Sequence, residues 1–458
     1  MIQDLQPYPA YRPSGVEWLG DVPAHWEVRR LRNVVELRVS NVDKHSKDNE
    51  LSVRLCNYVD VYKNDRITAD IAFMRATATA AEIERFRLEA EDVLITKDSE
   101  VWNDIGVPAL VEHESNDLVC GYHVGILRPI RKTLNGAYLF RSLQSPNVSC
   151  HFHVTANGVT RYGLTRGAIK SVRIPVPPLA EQAAIVVYLD HVDRHVQRYI
   201  DTKEKLITLL QEKRQALIHF CVTRGLNPDV PLKPSGVDWL GDVPAHWEVV
   251  QLGRIGRFSK GSGGTKADEV PEGIPCIRYG DLYTSHRFHI RASRSCVSET
   301  DALNYTPLRY GDILFAGSGE TIEEIGKSAA NLIEQSACCG GDVILFRPER
   351  DVDPVFSGYA FDCPQSQYQK STMGRGFTVM HIYGRELKYL WIALPPLAEQ
   401  RAIAAHLDQA TATIGAAIDN ARRQSERMAE YRASLIAHVV TGKLDVRAAV
   451  DDFTGRVG

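Results

Sequence analysis

The sequence predicts a mixed α/β protein: two related globular α/β blocks joined by two long antiparallel coiled-coil helices, with an internal pseudo-twofold repeat. Residues 18–28 (WLGDVPAHWEV) recur letter for letter as residues 239–249. Residues 177–182 (PPLAEQ) recur as residues 395–400. After each PPLAEQ phrase, apolar residues follow at heptad spacing, which is the pattern of packed helices. The chain therefore contains two copies of one module.

The bulk composition is that of a globular protein. The chain has 458 residues, of which 44% are hydrophobic and 24% charged, with a net charge of −3. This balance argues against a protein that coats nucleic acid by charge alone, but it leaves room for local basic faces. Nine scattered cysteines without a CxxC pair indicate reduced thiols rather than a zinc site. Because no stretch of 18 apolar residues and no signal pattern is present, we expect a cytoplasmic protein without membrane association.

The repeats divide the chain into five segments. We predict a first block at residues 1–176 and a first helix at 177–226. A linker and the second block follow at 227–394, then a second helix at 395–445 and a C-terminal tail at 446–458.

The two predicted helices share one heptad register. In each, nine of 11 positions spaced alternately by four and three residues are apolar. The first series is Ile185, Leu189, Val192, Val196, Tyr199, Lys203, Leu206, Leu210, Lys213, Leu217 and Phe220. The second series is Ile403, Leu407, Ala410, Ile414, Ala417, Ala421, Gln424, Met428, Tyr431, Leu435 and His438.

The ends of both helices are also marked. Pro178 and Pro396 suit the first turn, and Gly225 and Gly442 suit the residue after the last turn. If the helices pack along their length they run antiparallel, and a helix of about 40 residues spans about 60 Å. The blocks would then lie at opposite ends of a stiff rod. The alternative is two unrelated surface helices, each belonging to its own block.

The two blocks are expected to share one fold despite their divergent sequences. Strand-like stretches at residues 92–96 and 124–128 correspond to stretches at 312–315 and 343–347. A Cys-Gly pair precedes the second stretch in each block, at residues 120–121 and 339–340.

Signatures of catalysis are weak throughout the sequence. Residues 326–328 (GKS) resemble the end of a phosphate loop, but Thr321 stands where that loop needs glycine. Residues 362–365 (DCPQ) depart at two positions from the motif of an amino-methyltransferase. His151 and His153 would form a metal pair on a strand, yet the spacing suggests no third ligand, so a structural or DNA-facing role is favoured. We therefore predict no catalytic residue and no metal site.

Two glycine-punctuated loops carry side chains suited to reading DNA. Arginine pairs with guanine O6 and N7, asparagine pairs with adenine N6 and N7, and glycine lets the backbone approach a phosphate. The alternative is a turn with solvated polar residues. The candidates in the first block are Lys97, Asn157, Thr160, Arg161, Tyr162 and Arg166. Those in the second block are Arg278, Tyr279 and Arg287 from a basic and aromatic stretch, with Ser318, Arg375, Phe377, Thr378 and His381.

These motifs resemble one known family. Pro23, Trp26 and Leu31, and again Pro244, Trp247 and Leu252, resemble the start of target recognition domains in the specificity subunit of type I restriction-modification enzymes. Residues 311–315 (GDILF) resemble that family's Gly-Asp-Leu-Leu-Phe strand, whereas the first block departs there, reading AED at residues 90–92. The PPLAEQ phrases resemble the start of its conserved spacer helices.

The resemblance implies a non-catalytic subunit that binds no cofactor. Each recognition domain would read one half of an asymmetric bipartite double-stranded DNA target. The helices would set the gap and dock two modification subunits, which methylate adenine with S-adenosylmethionine. Restriction subunits, a translocase and nuclease using ATP and Mg²⁺, would join them. The residues expected to bind partners are Pro178, Leu179, Glu181, Gln182, Pro396, Leu397, Glu399 and Gln400.

Two other functions compete with this one. A single-chain nuclease or methyltransferase with duplicated domains is disfavoured by the missing motifs. A scaffold with two protein-binding blocks on a coiled-coil rod remains the alternative. Whatever the function, the identity of the repeated tryptophan phrase suggests a structural duty, and we expect Trp18, Trp26, Trp239 and Trp247 to pack against the helical frame.

Overall fold

The computed structural model describes residues 5–264, 266–376 and 379–454. It has the mixed α/β character that the sequence predicts, and it forms two compact units. Unit 1 comprises Met1–Lys203 and Arg423–Gly458, and unit 2 comprises Glu204–Arg422. The division cuts through both long helices, so the segment boundaries proposed from the sequence stay predictions. No helix among the described residues is long and apolar enough to cross a membrane.

The described residues of unit 1 form fourteen short strands. They are β1 (Tyr11–Pro13), β2 (Asp21–Pro23), β3 (Glu27–Arg30), β4 (Val35–Val39), β5 (Leu51–Cys56), β6 (Arg66–Ile67), β7 (Met74–Ala78), β8 (Val93–Thr96), β9 (Asp98–Ser99), β10 (Pro108–Val111), β11 (Leu118–Cys120), β12 (Val124–Pro129), β13 (Tyr162–Gly163) and β14 (Arg173–Val176). Its helices are α1 (Tyr58–Lys63), α2 (Ala80–Phe86), α3 (Gly136–Gln144), α4 (Pro146–Thr155), α5 (Arg166–Ser171) and the first part of α6 (Leu179–Arg224).

Unit 2 repeats this plan. Its strands are β15 (Leu232–Pro234), β16 (Asp242–Pro244), β17 (Glu248–Gln251), β18 (Gly256–Lys260), β19 (Glu269–Val270), β20 (Ile274–Ile277), β21 (Phe288–Ile290), β22 (Ser295–Val297), β23 (Thr306–Leu308), β24 (Ile313–Ala316), β25 (Ser318–Gly319), β26 (Ser328–Asn331), β27 (Ala337–Cys339), β28 (Val343–Pro348), β29 (Arg375–Gly376), β30 (Met380–His381) and β31 (Trp391–Leu394). Its helices are α7 (Tyr279–Thr284), α8 (Glu299–Ala302), α9 (Pro354–Phe361), α10 (Pro364–Met373), α11 (Gly384–Leu387) and the first part of α12 (Leu397–Val440). The second part of α12 and helix α13 (Arg447–Thr454) belong to unit 1.

One five-stranded sheet is common to the two units. Its order is β4-β12-β8-β10-β6 in unit 1 and β18-β28-β24-β26-β21 in unit 2. In both sheets the first three pairings are antiparallel and the last is parallel. Every residue of the central strands β8 and β24 is buried, which explains their continuous apolar sequences. The expectation that the two blocks share one fold is confirmed.

A buried carboxylate explains the aspartate before each central strand. Asp92 and Asp312 are both 1% exposed. Arg128 donates to Asp92 at 2.7 Å, and Arg347 donates to Asp312 at 2.6 Å, each arginine coming from the neighbouring strand. Each carboxylate also accepts a backbone N–H from the preceding turn, at 2.9 Å and 2.7 Å. Because a buried charge needs such partners, the aspartate fixes both the turn and the strand pair.

The long helices begin and end where the sequence indicates. Helix α6 starts after Pro178 and α12 after Pro396, and they contain 46 and 44 residues. Gly225 and Gly442 follow their last turns with φ of +78° and +75°, a backbone conformation that favours glycine. Within unit 1 the two helices run antiparallel, because Asp193 bonds Arg432 while Tyr199, further along α6, bonds Gln424, earlier in α12.

The predicted heptad register is wrong at the end of α6 and holds only in part in the second part of α12. Phe220 is 45% exposed, whereas its neighbour Cys221 is 2% exposed. In α12 the predicted Ala421 and Leu435 are buried, but so are Ile418 and Val439, next to the predicted Ala417 and His438. The buried stripe thus advances by one residue toward the end of α6, while α12 buries residues of both registers. This drift is what a straight α-helix with about 3.6 residues per turn produces against a strict repeat of about 3.5.

In unit 1 a buried ion-pair network joins the block to both long helices. Arg141 of α3 is 2% exposed and donates to Asp190 at 2.6 Å and to Asp193 at 2.5 Å. Burial raises the pKa of Asp193, but Arg432 and Arg141 outweigh this effect, so that its pKa lies below the ordinary value. At the corresponding place in unit 2, the hydroxyl of Tyr359 donates to Asp408 at 2.8 Å.

Arg141→Ala is expected to destabilise unit 1 by about 3 kcal/mol, because two partly buried carboxylates lose their shared cation. Tyr359→Phe should cost unit 2 only about 1 kcal/mol, since it removes one neutral donor. Urea unfolding of the two variants and the wild type measures both changes. Equal losses of unfolding free energy in the two variants would show that the arginine network stabilises unit 1 no more than the tyrosine hydrogen bond stabilises unit 2.

Candidate nucleic-acid interface

A tight hairpin presents the candidate side chains of unit 1. The backbone N–H of Asn157 donates to Gly163 O at 3.1 Å, and the N–H of Gly163 donates back to Asn157 O at 2.9 Å. Gly158 has φ of +148°, and a Cβ there would lie 1.9 Å from Arg161 O. Only glycine fits this turn. The hairpin leaves Asn157, Thr160 and Arg161 exposed at its tip.

Unit 2 contains the same hairpin with different side chains. Strand β29 pairs with β30 so that Arg375 lies opposite His381. Gly376 has φ of +151°, and a Cβ there would lie 2.1 Å from Val379 O. Arg375 is exposed, whereas Phe377 and Thr378 lie outside the described residues. One backbone design therefore carries two different sets of candidate contacts.

Each hairpin lies beside a short strand that follows the central strand. In unit 1, β13 pairs with β9, which brings Tyr162 opposite Ser99. Lys97, just before β9, accepts the N–H of Leu164 at 2.8 Å through its carbonyl. In unit 2, β30 pairs with β25, and Ser318 Oγ lies 3.0 Å from His381 Nδ1. The structure thus joins Lys97 to the first hairpin and Ser318 to the second.

The hairpin of unit 1 adjoins a charged and aromatic cluster that sequence reasoning missed. Lys97 Nζ lies 4.8 Å from the ring centre of Tyr122. His123 Nδ1 lies 2.7 Å from Asp98 Oδ2 and 3.5 Å from Arg161 Nη2. Tyr122 and His123 follow the repeated Cys-Gly pair at residues 120–121, which was the available signal.

Not all candidates gather at the hairpins. Arg166 is exposed at the start of α5, directly after the capping residue Thr165. Arg278 and Tyr279 line a separate cleft of unit 2, in which Arg278 is held by Glu269 at 2.9 Å. Arg287 lines a further cleft beside α10. Burial lowers its pKa. The structure therefore leaves Arg287 away from Ser318 and His381, which line a different groove.

The two repeated phrases of the sequence contact each other in both units. Trp26 is fully buried and its indole N–H donates to Glu181 Oε2 at 2.9 Å. Trp247 donates in the same way to Glu399 Oε2 at 3.1 Å. Histidines 25 and 246 of the phrase lie 2.8 Å and 2.9 Å from the same carboxylates. The expectation that these two tryptophans pack against the helical frame is confirmed.

The same expectation is wrong for the other two tryptophans. Trp18 and Trp239 are each 39% exposed. Their rings lie beside short helices instead, Trp18 at 5.9 Å from His151 of α4 and Trp239 at 6.3 Å from Tyr368 of α10. Each phrase therefore buries one tryptophan and displays the other.

Part of the PPLAEQ phrase has an internal role that the sequence did not indicate. Gln182 is fully buried, accepts the N–H of Asn135 at 2.8 Å and donates to two carbonyls. Gln400 accepts the N–H of Asp353 at 2.8 Å in the same manner. These amides, like Glu181 and Glu399, are bonded within their own units. Pro178, Leu179 and Pro396 are exposed and Leu397 is half-buried, so partner binding through them stays a prediction.

The motifs considered for other chemistry serve internal contacts. His151 and His153 lie on helix α4 and not on a strand, and His151 Nε2 is 3.2 Å from Ala168 O. In the GKS motif, Lys327 donates to Tyr283 O at 3.3 Å and Ser328 begins buried strand β26. Across the part of the chain that the structure describes, no three side chains form a metal-binding group.

A duplicated frame that displays two different loops is typical of a recognition protein. Residues 23–208 and 244–422 match the family model of the type I restriction modification DNA specificity domain, and the chain belongs to this family. A putative type I restriction enzyme MjaX specificity subunit of Methanocaldococcus jannaschii is 23% identical over 444 residues. That alignment covers 94% of this chain and 96% of the relative.

Solved structures show the same fold. A chain of a type I restriction-modification system has a TM-score of 0.69 at 16% identity, covering 92% of this chain and 99% of that chain. The HsdS subunit from Thermoanaerobacter tengcongensis has a TM-score of 0.52 at 18% identity, covering 92% and 98%.

The glycine of each hairpin provides a test of the candidate interface. Gly158→Ala is expected to open the first hairpin, because the new Cβ would meet Arg161 O, and to weaken binding of the DNA target about tenfold. Gly376→Ala should do the same through the second hairpin. Gly167→Ala is the control, since its Cβ would meet nothing nearer than 3.8 Å. Titrating the target duplex measures the loss, and affinity that is unchanged in both hairpin variants would remove the hairpins from the interface.

Proposed function

We propose that this chain is the non-catalytic DNA specificity subunit of a type I restriction-modification complex, and that each unit reads one half of an asymmetric bipartite target. One observation carries this proposal: both units build the same hairpin against the short strand that follows the central strand, and fill it with different side chains. Two readers with a common backbone and different contacts would recognise two different sequences.

The hairpin side chains fit the major groove. Asn157 and Arg161 in unit 1, and Arg375 in unit 2, are exposed and can present the paired donors and acceptors that base edges require. Lys97 beside the first hairpin suits a phosphate, which would position the reader without adding sequence information.

The chemistry of the complex is assigned to other subunits. In this proposal two modification subunits bring S-adenosylmethionine and methylate adenine, restriction subunits bring ATP and Mg²⁺, and this chain binds none of these. A partner present in two copies needs two equal docking surfaces. In this proposal the identical phrases provide them, which is supported by the equal exposure of Trp18 and Trp239, 39% in each unit. We place the complex in the cytoplasm, where the DNA target lies.

The test is selection of a binding sequence from random duplexes by the assembled complex. We expect enrichment of one split motif. Replacing residues 227–394 by the corresponding segment of a relative should then change one half of that motif and leave the other half as it was. Enrichment of no sequence would contradict a DNA-reading role and favour the scaffold, and a change in both halves would contradict modular reading.

The long helices are proposed to set the gap between the half-sites. Inserting one heptad into both, after Lys205 and after Glu426, adds about 10.5 Å of helix. The unread gap should therefore grow by about three base pairs at about 3.4 Å each. The same selection experiment measures the gap directly. An insertion of one heptad into α6 alone is the control, because it lengthens only one of the two helices. A gap of unchanged length in the double insertion would exclude the helices as the spacer.

A further inference from the structure

A groove of about 720 Å³ lies beside the second hairpin. Ser318 and His381 form one of its walls, and edge strand β18 and helix α11 form others. Neither the sequence motifs nor the resemblance assigns it a role. Its position next to two candidate base-reading side chains makes its charge and shape relevant to the DNA.

Glycine occupies five positions of the groove's lining: Gly253, Gly256, Gly317, Gly341 and Gly384. Matched hydrogen bonds and registers give the corresponding residues of unit 1. For example, Gly317 O accepts the N–H of Ile382 as Lys97 O accepts that of Leu164. Gly256 lies opposite Pro348 as Val35 lies opposite Pro129.

Unit 1 carries a side chain at each of these positions: Arg32, Val35, Lys97, Tyr122 and Arg166. Two of them pack together, since Lys97 Nζ lies over the ring of Tyr122 at 4.8 Å. The duplicated frame therefore carries larger side chains at these positions in unit 1 and glycines in unit 2.

Cations dominate the lining of the groove. Arg257, Lys260, Arg385 and Lys388 line it, with Asp342 as the one carboxylate among its lining residues. Arg257 and Arg385 are paired with Glu349 and Glu386 at 2.5 Å and 2.8 Å. Among the described residues, neither Lys260 nor Lys388 has a carboxylate within ion-pair distance, and Lys388 Nζ lies 4.8 Å from the ring centre of Tyr389. Both lysines therefore lack an anionic partner and can meet an anionic ligand.

We propose that this groove binds the sugar-phosphate backbone of the DNA beside the half-site read by unit 2, with Lys260 and Lys388 as the phosphate ligands. A phosphodiester chain supplies the anions that the two lysines lack, and the glycines let it lie close to the protein backbone. Such contacts add affinity and fix the register of the reader but do not select bases. The proposal rests on the proposed function and adds to it, since unit 2 would hold the backbone in an open groove, whereas unit 1 would contact it through Lys97 beside the ring of Tyr122.

The test compares variants of the full chain in its complex, titrated with the selected duplex and with a scrambled duplex over a range of salt. Lys260→Gln with Lys388→Gln removes the two charges. Lys205→Gln with Lys213→Gln is a control of equal charge change at exposed positions of α6. Gly341→Tyr is designed to place a large side chain in the lining of the groove, where its Cβ would meet nothing nearer than 3.8 Å.

With about 0.9 released counterions per phosphate contact, the slope of log K against log salt should fall by about 1.8 in the groove double variant. Between about 50 and 200 mM salt, a slope difference of this size corresponds to about a twelvefold difference in the loss of DNA affinity. Both duplexes should lose affinity equally, so the preference for the selected sequence is retained. Gly341→Tyr should weaken both as well, and the control pair should leave the slope unchanged.

An unchanged salt slope in the groove variants would overturn the groove proposal. If the wild type still bound the selected duplex specifically, the proposed function would stand. Loss of partner subunits with unaltered DNA binding would also overturn the groove proposal, because the groove would then be a protein contact. A loss confined to the selected duplex would do the same, since it would show base reading instead of backbone binding. Failure of the wild type to prefer any sequence would contradict the proposed function itself.

Discussion

The hydrogen bond from a buried tryptophan to a helix-entry glutamate is the contact on which the architecture of each unit depends. Glu181 is 8% exposed and accepts from Trp26 and from Tyr8, while Arg447 lies 3.7 Å away. A carboxylate buried to this degree is costly without such partners, and an unpaired indole N–H would be costly too. Each group thus requires the other. The contact ties the start of the block to the start of the long helix, and in unit 1 it also gathers the N-terminal segment and the segment after α12.

This contact divides the sequence into residues that must be kept and residues that are free to vary. The frame consists of Trp26, Glu181, Gln182 and the Asp92–Arg128 pair, each with its counterpart in unit 2. These groups are polar and buried or partly buried, and every one satisfies a specific donor or acceptor. The hairpins, by contrast, are held by backbone hydrogen bonds and by one glycine each. Their remaining side chains are not needed to close the turn, which is why the two copies agree at their edges and differ in their middles.

The sequence predicts the repeated frame well because local signals mark it. The proline before each long helix, the glycine after it and the buried strand patterns are all short-range features, and all correspond to the structure. The seam of the helices was predicted less well. A strict heptad count accumulates the small difference between about 3.5 and about 3.6 residues per turn, so that it selects Phe220 where the structure buries Cys221. Trp18 and Trp239 stand in the same repeated phrase as Trp26 and Trp247, so the sequence does not distinguish the exposed pair from the buried pair. Packing alone makes that distinction.

For the candidate site, chain proximity grouped Arg287 with Arg278, but the structure places them in different clefts. The joining of Ser318 to His381, 63 positions apart, depends on sheet register that one sequence does not reveal.

A loop closed by main-chain bonds has a consequence for how such a protein changes over generations. Substitutions at the tip of the hairpin of unit 1, between Gly158 and Gly163, remove no bond that holds the loop shut. Mutation there can explore new contacts while the folded state keeps its stability. A lineage can then acquire a different preferred sequence in a few steps, one reader at a time, without rebuilding the frame or the surfaces that the rest of an assembly would need to find unchanged.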